Sequence, residues 1–287
     1  MTDYTTPGPM TSAGKYSALL DALPHDVAGL AAAGHGLLIH EHIAPNYGVE
    51  LSDADRAPVH LRRIEDVLDR IVSRDDRPLT EAREPGDRIA GNCRHFTVLL
   101  VTALRARGVP ARARCGFGGY FGGDAFEDHW VAEYRNAEQD RWVLVDGQID
   151  DVQRGMFPID FDLLDVPRDR FLVAGDAWLR CRAGTADPSK FGLTALGETG
   201  SWWIAGNLVR DAASLLGTEV LPWDGWGAMP GPQEEITGEL AELFDRLAAL
   251  TLTPDESAAE LRELCRDERL RLPATVRNHV RGTEDAI

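Results

Sequence analysis

Apolar residues recur at helical spacing in several stretches of this chain. From Lys15 to Ala33 the positions Leu19, Leu20, Leu23, Val27, Leu30 and Ala31 predict helical segments interrupted at Pro24. Leu61, Ile64, Val67, Leu68 and Ile71 predict another helix from Val59 to Val72. The stretch NCRHFTVLLVTALRARGVP, Asn92 to Pro110, carries the full set of helix signals. Asn92 is the N-cap, Phe96, Leu99, Leu100, Ala103 and Leu104 form the apolar stripe, and Gly108 and Pro110 stop it. The period then changes. In ARARCGF, Arg112 and Arg114 alternate with Ala111, Ala113, Cys115 and Phe117, as on a half-buried strand.

A glycine-rich loop, GGYFGGDAFED, precedes two more strand candidates, HWVAEY (129–134) and RWVLVD (141–146), joined by the polar RNAEQD: a hairpin signal. If Tyr134 pairs with Arg141, antiparallel register puts His129 opposite Asp146, with Cβ atoms about 5 Å apart. Further on, FPIDFDLLDVP reads as a loop, and FLVAGDAWLRCRAG and SWWIAGNLVRDAASLLG as helical pieces. The stretch from Glu235 reads as two amphipathic helices broken at Pro254. Trp178, Trp202, Trp203, Trp223 and Trp226 in this half are read as core packing. The expected division is a flexible tail over 1–14, a core with N-terminal helices over 15–170, and a mainly helical extension packed on it over 171–287.

Composition narrows the function. A net charge of −17 and a pI near 4.8 repel phosphate backbones and anionic membrane surfaces, so neither is an expected partner. Arg105, Arg107, Arg112 and Arg114 lie close together, and such a run reads as a solvated face balancing acidic flanks. No basic-then-apolar leader opens the chain and no stretch has the length of a membrane span. Cys93, Cys115, Cys181 and Cys265 are scattered without a CxxC pair, which fits a reducing cytoplasm better than a disulfide framework or a zinc ribbon. The glycine loop has neither a Walker lysine nor a GxGxxG leading from strand into helix, so no nucleotide cradle is expected.

The chemistry concentrates on three residues. A thiol in the first turn of a helix meets N–H groups that favour its thiolate, and these groups can also bind the oxyanion formed when that thiolate attacks a carbonyl. Cys93 holds that position, with its own N–H and that of Arg94 as the expected oxyanion donors. Such a nucleophile needs an imidazole to manage protons and a carboxylate to orient the imidazole, and the hairpin offers His129 and Asp146. Taken singly, a buried cysteine, a strand histidine and an aspartate after a strand are each usually structural. The conjunction carries the reading. Around it, Tyr120, Asp128 and Trp130 flank the triad as candidate substrate-binding residues, and Arg114 could hold a substrate carboxylate.

Two rival readings stay open. Cys93, His129 and Asp146, with His95, are ligand types suited to zinc, which would make the protein a metallohydrolase; alternatively, the triad-bearing chain is a protein-binding scaffold without turnover. His35, His40 and His42 read as polar surface or helix packing ahead of a metal cluster, and no cofactor or metal is expected on the main reading.

The segment GNCRHFTVLLVTALRARGVPARARCGF, followed by DHWVAEY and RWVLVDGQ, resembles the cysteine, histidine and aspartate segments of bacterial transglutaminase-like proteins, in order and in spacing, over about residues 88 to 150. The resemblance implies an α+β, papain-like core in which the cysteine helix packs on an antiparallel sheet, with additional N- and C-terminal helices. It also implies thioester chemistry through Cys93, His129 and Asp146. The acyl donor would be a peptide, a protein side chain, a carrier-bound acyl group or a small amide, and the acceptor an amine or water. AGDAWLRCRAG, NLVRD and LPWDGWG resemble a bacterial subgroup rather than the calcium-dependent animal enzymes; no EF-hand loop is present, and the paired CxxC motifs of peptide N-glycanases are absent.

Overall fold

Helix accounts for 40% and strand for 17% of this α+β chain. The structure, a computed structural model, describes residues 3–232 and 234–287. Its contacts gather into two units: residues 3–113 with 130–167, and residues 114–129 with 168–287.

In the first unit residues 3–14 are not the loose tail expected over 1–14, of which residues 1 and 2 lie outside the described residues. Met10 and Thr11 are fully buried and Tyr4 nearly so. Ala111 donates its N–H to the Tyr4 carbonyl (3.1 Å), Ile64 to that of Met10 (2.9 Å), and Arg105 Nη1 donates to Thr11 Oγ1 (2.7 Å). The Thr, Pro and Gly composition looks like a linker, but backbone bonds to a strand and a helix start give it a fixed path. Helices run over Val27–Leu37 and Ile64–Arg74, the second after a 3-10 turn at Ala57–His60. The cysteine helix is Cys93–Ala106, and Gly108 takes φ +70° just past its end.

The strand Leu38–His40 pairs in parallel with Ile89–Gly91, the strand that delivers the chain to Asn92 and Cys93. The hairpin forms between Phe126–Asn136 and Arg141–Val145, but its register differs from the expected one by two residues. Asn136 pairs with Arg141 and Ala132 with Val145, so one step further Asp146 lines up with Val131 and position 129 is not its direct partner. The turn sets this. Asn136 Oδ1 accepts the N–H groups of Glu138 (3.0 Å) and Gln139 (3.1 Å), and Asp140 takes a left-handed φ of 51°, which closes the loop tightly at Asn136.

In the second unit, Gly116–Gly118 of the strand Ala111–Gly118 pair antiparallel with Phe171–Val173. A Cβ on Gly116 would stand 2.2 Å from the Leu172 carbonyl oxygen, so only glycine fits there. Phe126 and Glu127 pair in parallel with Phe191 and Gly192, and Phe191–Leu193 continues to Glu198–Thr199. The unit also contains the helices Ala174–Arg182, Ser201–Leu215, Gly238–Leu252 and Ala258–Leu264. Phe171–Val173, expected as the start of a helix, is a strand. The terminal residues form an antiparallel pair, Thr275–Asn278 with Thr283–Ala286, where no element was expected. Among the described residues no helix is long and apolar enough to cross a membrane.

The strand Ala111–Gly118 is buried at all eight positions, not half-buried. Its arginines explain this. Within the first unit, Arg112 donates Nε to Glu133 Oε2 (2.7 Å) and stacks over the Trp142 ring at 3.8 Å. Within the second, Arg114 forms a bidentate pair with Asp211. Arg105 bonds the Ala111 carbonyl (2.8 Å), and Arg107 those of Leu20 (3.0 Å) and Leu23 (2.6 Å). The arginine run is therefore a set of internal braces rather than a solvated face.

Candidate functional site

Cys93 is the first residue of its helix, 7% exposed and not disulfide-bonded. The N-cap is in place: Asn92 Oδ1 accepts the Arg94 N–H (3.2 Å), and the Asn92 carbonyl accepts the His95 N–H (2.8 Å). Of the two expected oxyanion donors, Arg94 N–H is thus bound to the cap. The Arg94 side chain is buried, with Nη2 on the Arg62 carbonyl at 2.6 Å, fixing the helix start to the preceding segment.

His95 closes a capping box. The Leu61 carbonyl can only accept, so the ring donates from Nε2 to it (3.0 Å) and accepts the Asn92 N–H at Nδ1 (3.3 Å). Burial, reinforced by the Arg94 charge, lowers its pKa to about 3. In the unfolded chain a histidine takes up a proton below about pH 6.5. Between these values the unfolded state binds the extra proton, so folding stability drops as pH falls from about 6.5 towards 3, by up to about 1.4 kcal/mol per unit. Urea unfolding of wild type and of His95→Gln, which preserves a capping-box side chain, should give a shallower pH slope for the variant. Equal slopes would contradict this.

The face of the helix that carries Cys93 is defined by its neighbours at i+4 and i+7. Thr97 Oγ1 donates to the Trp130 carbonyl (3.0 Å), and a Cβ on Gly147 would stand 2.9 Å from Leu100 Cδ2. That face therefore lies against the strand at Trp130 and against the turn that follows Asp146. Thr97 was not foreseen as a contributor, although a hydroxyl one turn after the cysteine, on the cysteine's own helix face, was a usable signal. Asp146 is 2% exposed, and its Oδ1 accepts the Gln148 N–H (3.0 Å). Cys93 and Asp146 both belong to the first unit.

His129 belongs to the second unit and is 2% exposed. Its ring is edged by three aromatics of the same unit: Phe121 at 4.9 Å, Tyr120 at 6.1 Å and Phe171 at 6.4 Å between centroids. Tyr120, expected to touch substrate, is 1% exposed and packs at 4.7 Å on Phe121.

Three other expectations are corrected. Arg114 is 2% exposed and committed to Asp211 and to the Thr251 carbonyl (3.0 Å), so it braces the interior and does not clamp a substrate. Asp128 accepts the Trp203 indole N–H at 2.6 Å and burial pushes its carboxyl up, so it anchors the helix Ser201–Leu215. Trp130 is fully buried, its indole N–H without a hydrogen-bond partner. The shared physical reason is that alternation along a strand assigns faces without telling which face a helix covers.

No group of three or more His, Cys, Asp or Glu residues among those described is arranged to hold a metal ion. His40 and His42 lie 5.7 Å apart ring to ring, and burial lowers the pKa of His35 against the pull of Asp150 and Asp146.

Residues 61–147 match the Transglutaminase-like superfamily. No curated protein matches the chain. A solved structure from Cytophaga hutchinsonii, provisionally described as a cysteine protease, aligns at 16% identity and a TM-score of 0.32, over 59% of this chain and 44% of that one. This chain thus spans less than half the length of that protein. The cysteine helix, the histidine strand and the Asp146 turn all fall within residues 61–147, and there the chain carries a transglutaminase-like domain.

Proposed function

We propose that the protein is a cysteine-dependent acyl-transfer or amide-hydrolysing enzyme acting through Cys93, His129 and Asp146, on a peptide or protein amide. The Cys93 sulfur attacks the carbonyl carbon and a C–S bond forms. The oxyanion is met by the Cys93 N–H, and His129, oriented by Asp146, passes the thiol proton to the departing amine as the C–N bond breaks. Water or a second amine then attacks the thioester, gives its proton to His129, and releases the thiol.

The observation that carries the reading is the seat of Cys93. It is the first residue of a capped helix inside the superfamily segment, on the helix face that Thr97 and Leu100 set against the strand at Trp130 and the Asp146 turn. The two-residue change in register agrees with the proposal, because an even shift leaves every side chain on its assigned face.

The experiment is intact-mass spectrometry after incubation with a panel of activated acyl donors and glutamine peptides. The expected result is a single acyl adduct on Cys93 that hydroxylamine removes and Cys93→Ala lacks. An adduct that persists in Cys93→Ala, or maps to another cysteine, would contradict the assignment.

A further inference from the structure

The turn after Asp146 is held by a hydrogen-bonded chain of side chains that lies wholly within the first unit. Gln148 gives its backbone N–H to Asp146 Oδ1 (3.0 Å) and its Nε2 to Gln153 Oε1 (2.8 Å). Gln153 replies through Nε2 to the Gln148 carbonyl (3.3 Å), and the same nitrogen reaches the Tyr47 hydroxyl (3.1 Å). That hydroxyl donates to Asp150 Oδ1 (2.7 Å), which also caps the short helix Asp151–Arg154 through the Gln153 N–H (3.0 Å). Gln148 and Gln153 are 3% and 2% exposed, so these bonds are not exchanged with bulk water.

Tyr47 ends the 3-10 turn Ala44–Tyr47, shortly after the strand Leu38–His40. That strand pairs with Ile89–Gly91, whose last residue also receives the Glu41 N–H on its carbonyl (2.9 Å) and which leads through Asn92 into Cys93. One end of the network therefore holds the Asp146 carboxylate, and the other is rooted in the strand pair that delivers the nucleophile. A carboxylate that orients an imidazole must hold its plane within a few tenths of an ångström.

We infer that Tyr47 and Gln153 are positioning residues that set the Asp146 carboxylate relative to the strand pair leading to Cys93. The inference rests on the triad reading above. Neither residue touches reacting atoms; each acts through Asp146.

The test is the second-order rate of Cys93 alkylation by iodoacetamide, read by peptide mass spectrometry from about pH 6 to 9, in wild type, Tyr47→Phe, Asp146→Asn and the double variant. Tyr47→Phe keeps the ring and removes both hydroxyl bonds. The expected slowing near neutral pH is about threefold to fivefold, the worth of about one net hydrogen bond. The pH profile should shift in the same direction as for Asp146→Asn, and the double variant should be no slower than Asp146→Asn alone, because the two changes act on one element. Gln153→Met should repeat this pattern and add nothing to Tyr47→Phe. A merely structural tyrosine would lower the melting temperature and slow both backgrounds by the same factor, which would overturn the inference. So would an unchanged rate in Tyr47→Phe beside a slowed Asp146→Asn. An unchanged rate in Asp146→Asn itself would instead overturn the triad reading, and the two failures are thereby told apart.

Discussion

Replacing Asp211 by alanine is expected to destabilise the protein by about 3–5 kcal/mol, the cost of leaving a buried charge without its partner. Asp211 is fully buried and receives three bonds: Arg114 Nε on Oδ1 (3.0 Å), Arg114 Nη2 on Oδ2 (2.8 Å) and the Cys115 N–H on Oδ1 (2.9 Å). The substitution removes the countercharge of a guanidinium that is 2% exposed and at the same time orphans a backbone donor in a strand. An exposed ion pair would contribute no more than about 1 kcal/mol. Chemical denaturation decides between them: a loss below about 1 kcal/mol would contradict the account. In the companion variant Arg114→Met with Asp211→Leu, most of the lost stability should return, since apolar side chains of similar volume replace both charges together.

This pair also marks where sequence reading stops. The partners are separated by 97 positions, and nothing local in ARARCGF distinguishes an arginine that meets a buried aspartate from one that meets water. Charge runs are usually solvated, so the pattern favoured the wrong alternative at Arg105, Arg112 and Arg114 alike. The same blindness covers Tyr47 and Asp150, joined across 103 positions by a hydrogen bond that no periodicity announces.

Features encoded within a few residues were readable. Asn92 as N-cap, Cys93 as first helical residue and the stop at Gly108 follow from capping and from the apolar stripe, and the structure has them in place. So does the break at Pro254 between Gly238–Leu252 and Ala258–Leu264. The hairpin was readable as a hairpin, but its register depended on how Asn136 and Asp140 close the turn, a matter of side-chain-to-backbone bonds rather than of hydrophobic alternation. The terminal strands were missed although the buried Val276 and Asn278 alternate with the exposed Thr275 and Arg277: a period of two was present, in a segment too polar to attract notice.

The largest effect on chemistry is expected from His129→Ala. On the proposed triad, removing the imidazole takes away the group that accepts the Cys93 proton, and triad members act as a unit, so turnover of an amide donor should fall by on the order of 10³ or more. The selectivity of the thiol can be examined without a substrate. Burial pushes the Cys181 thiol up to about 11 and the Cys265 thiol up to about 12, and Cys115 is fully buried, so none of the three should compete near neutral pH.

Iodoacetamide labelling mapped by peptide mass spectrometry, at about pH 6.5 and about pH 8.5, in wild type and His129→Ala, is therefore the most direct test that Cys93 is an activated nucleophile. The account predicts label almost wholly at Cys93 and a fall of at least about tenfold at about pH 6.5 in His129→Ala. Labelling spread over the other cysteines, or labelling at Cys93 that is indifferent to His129, would contradict it.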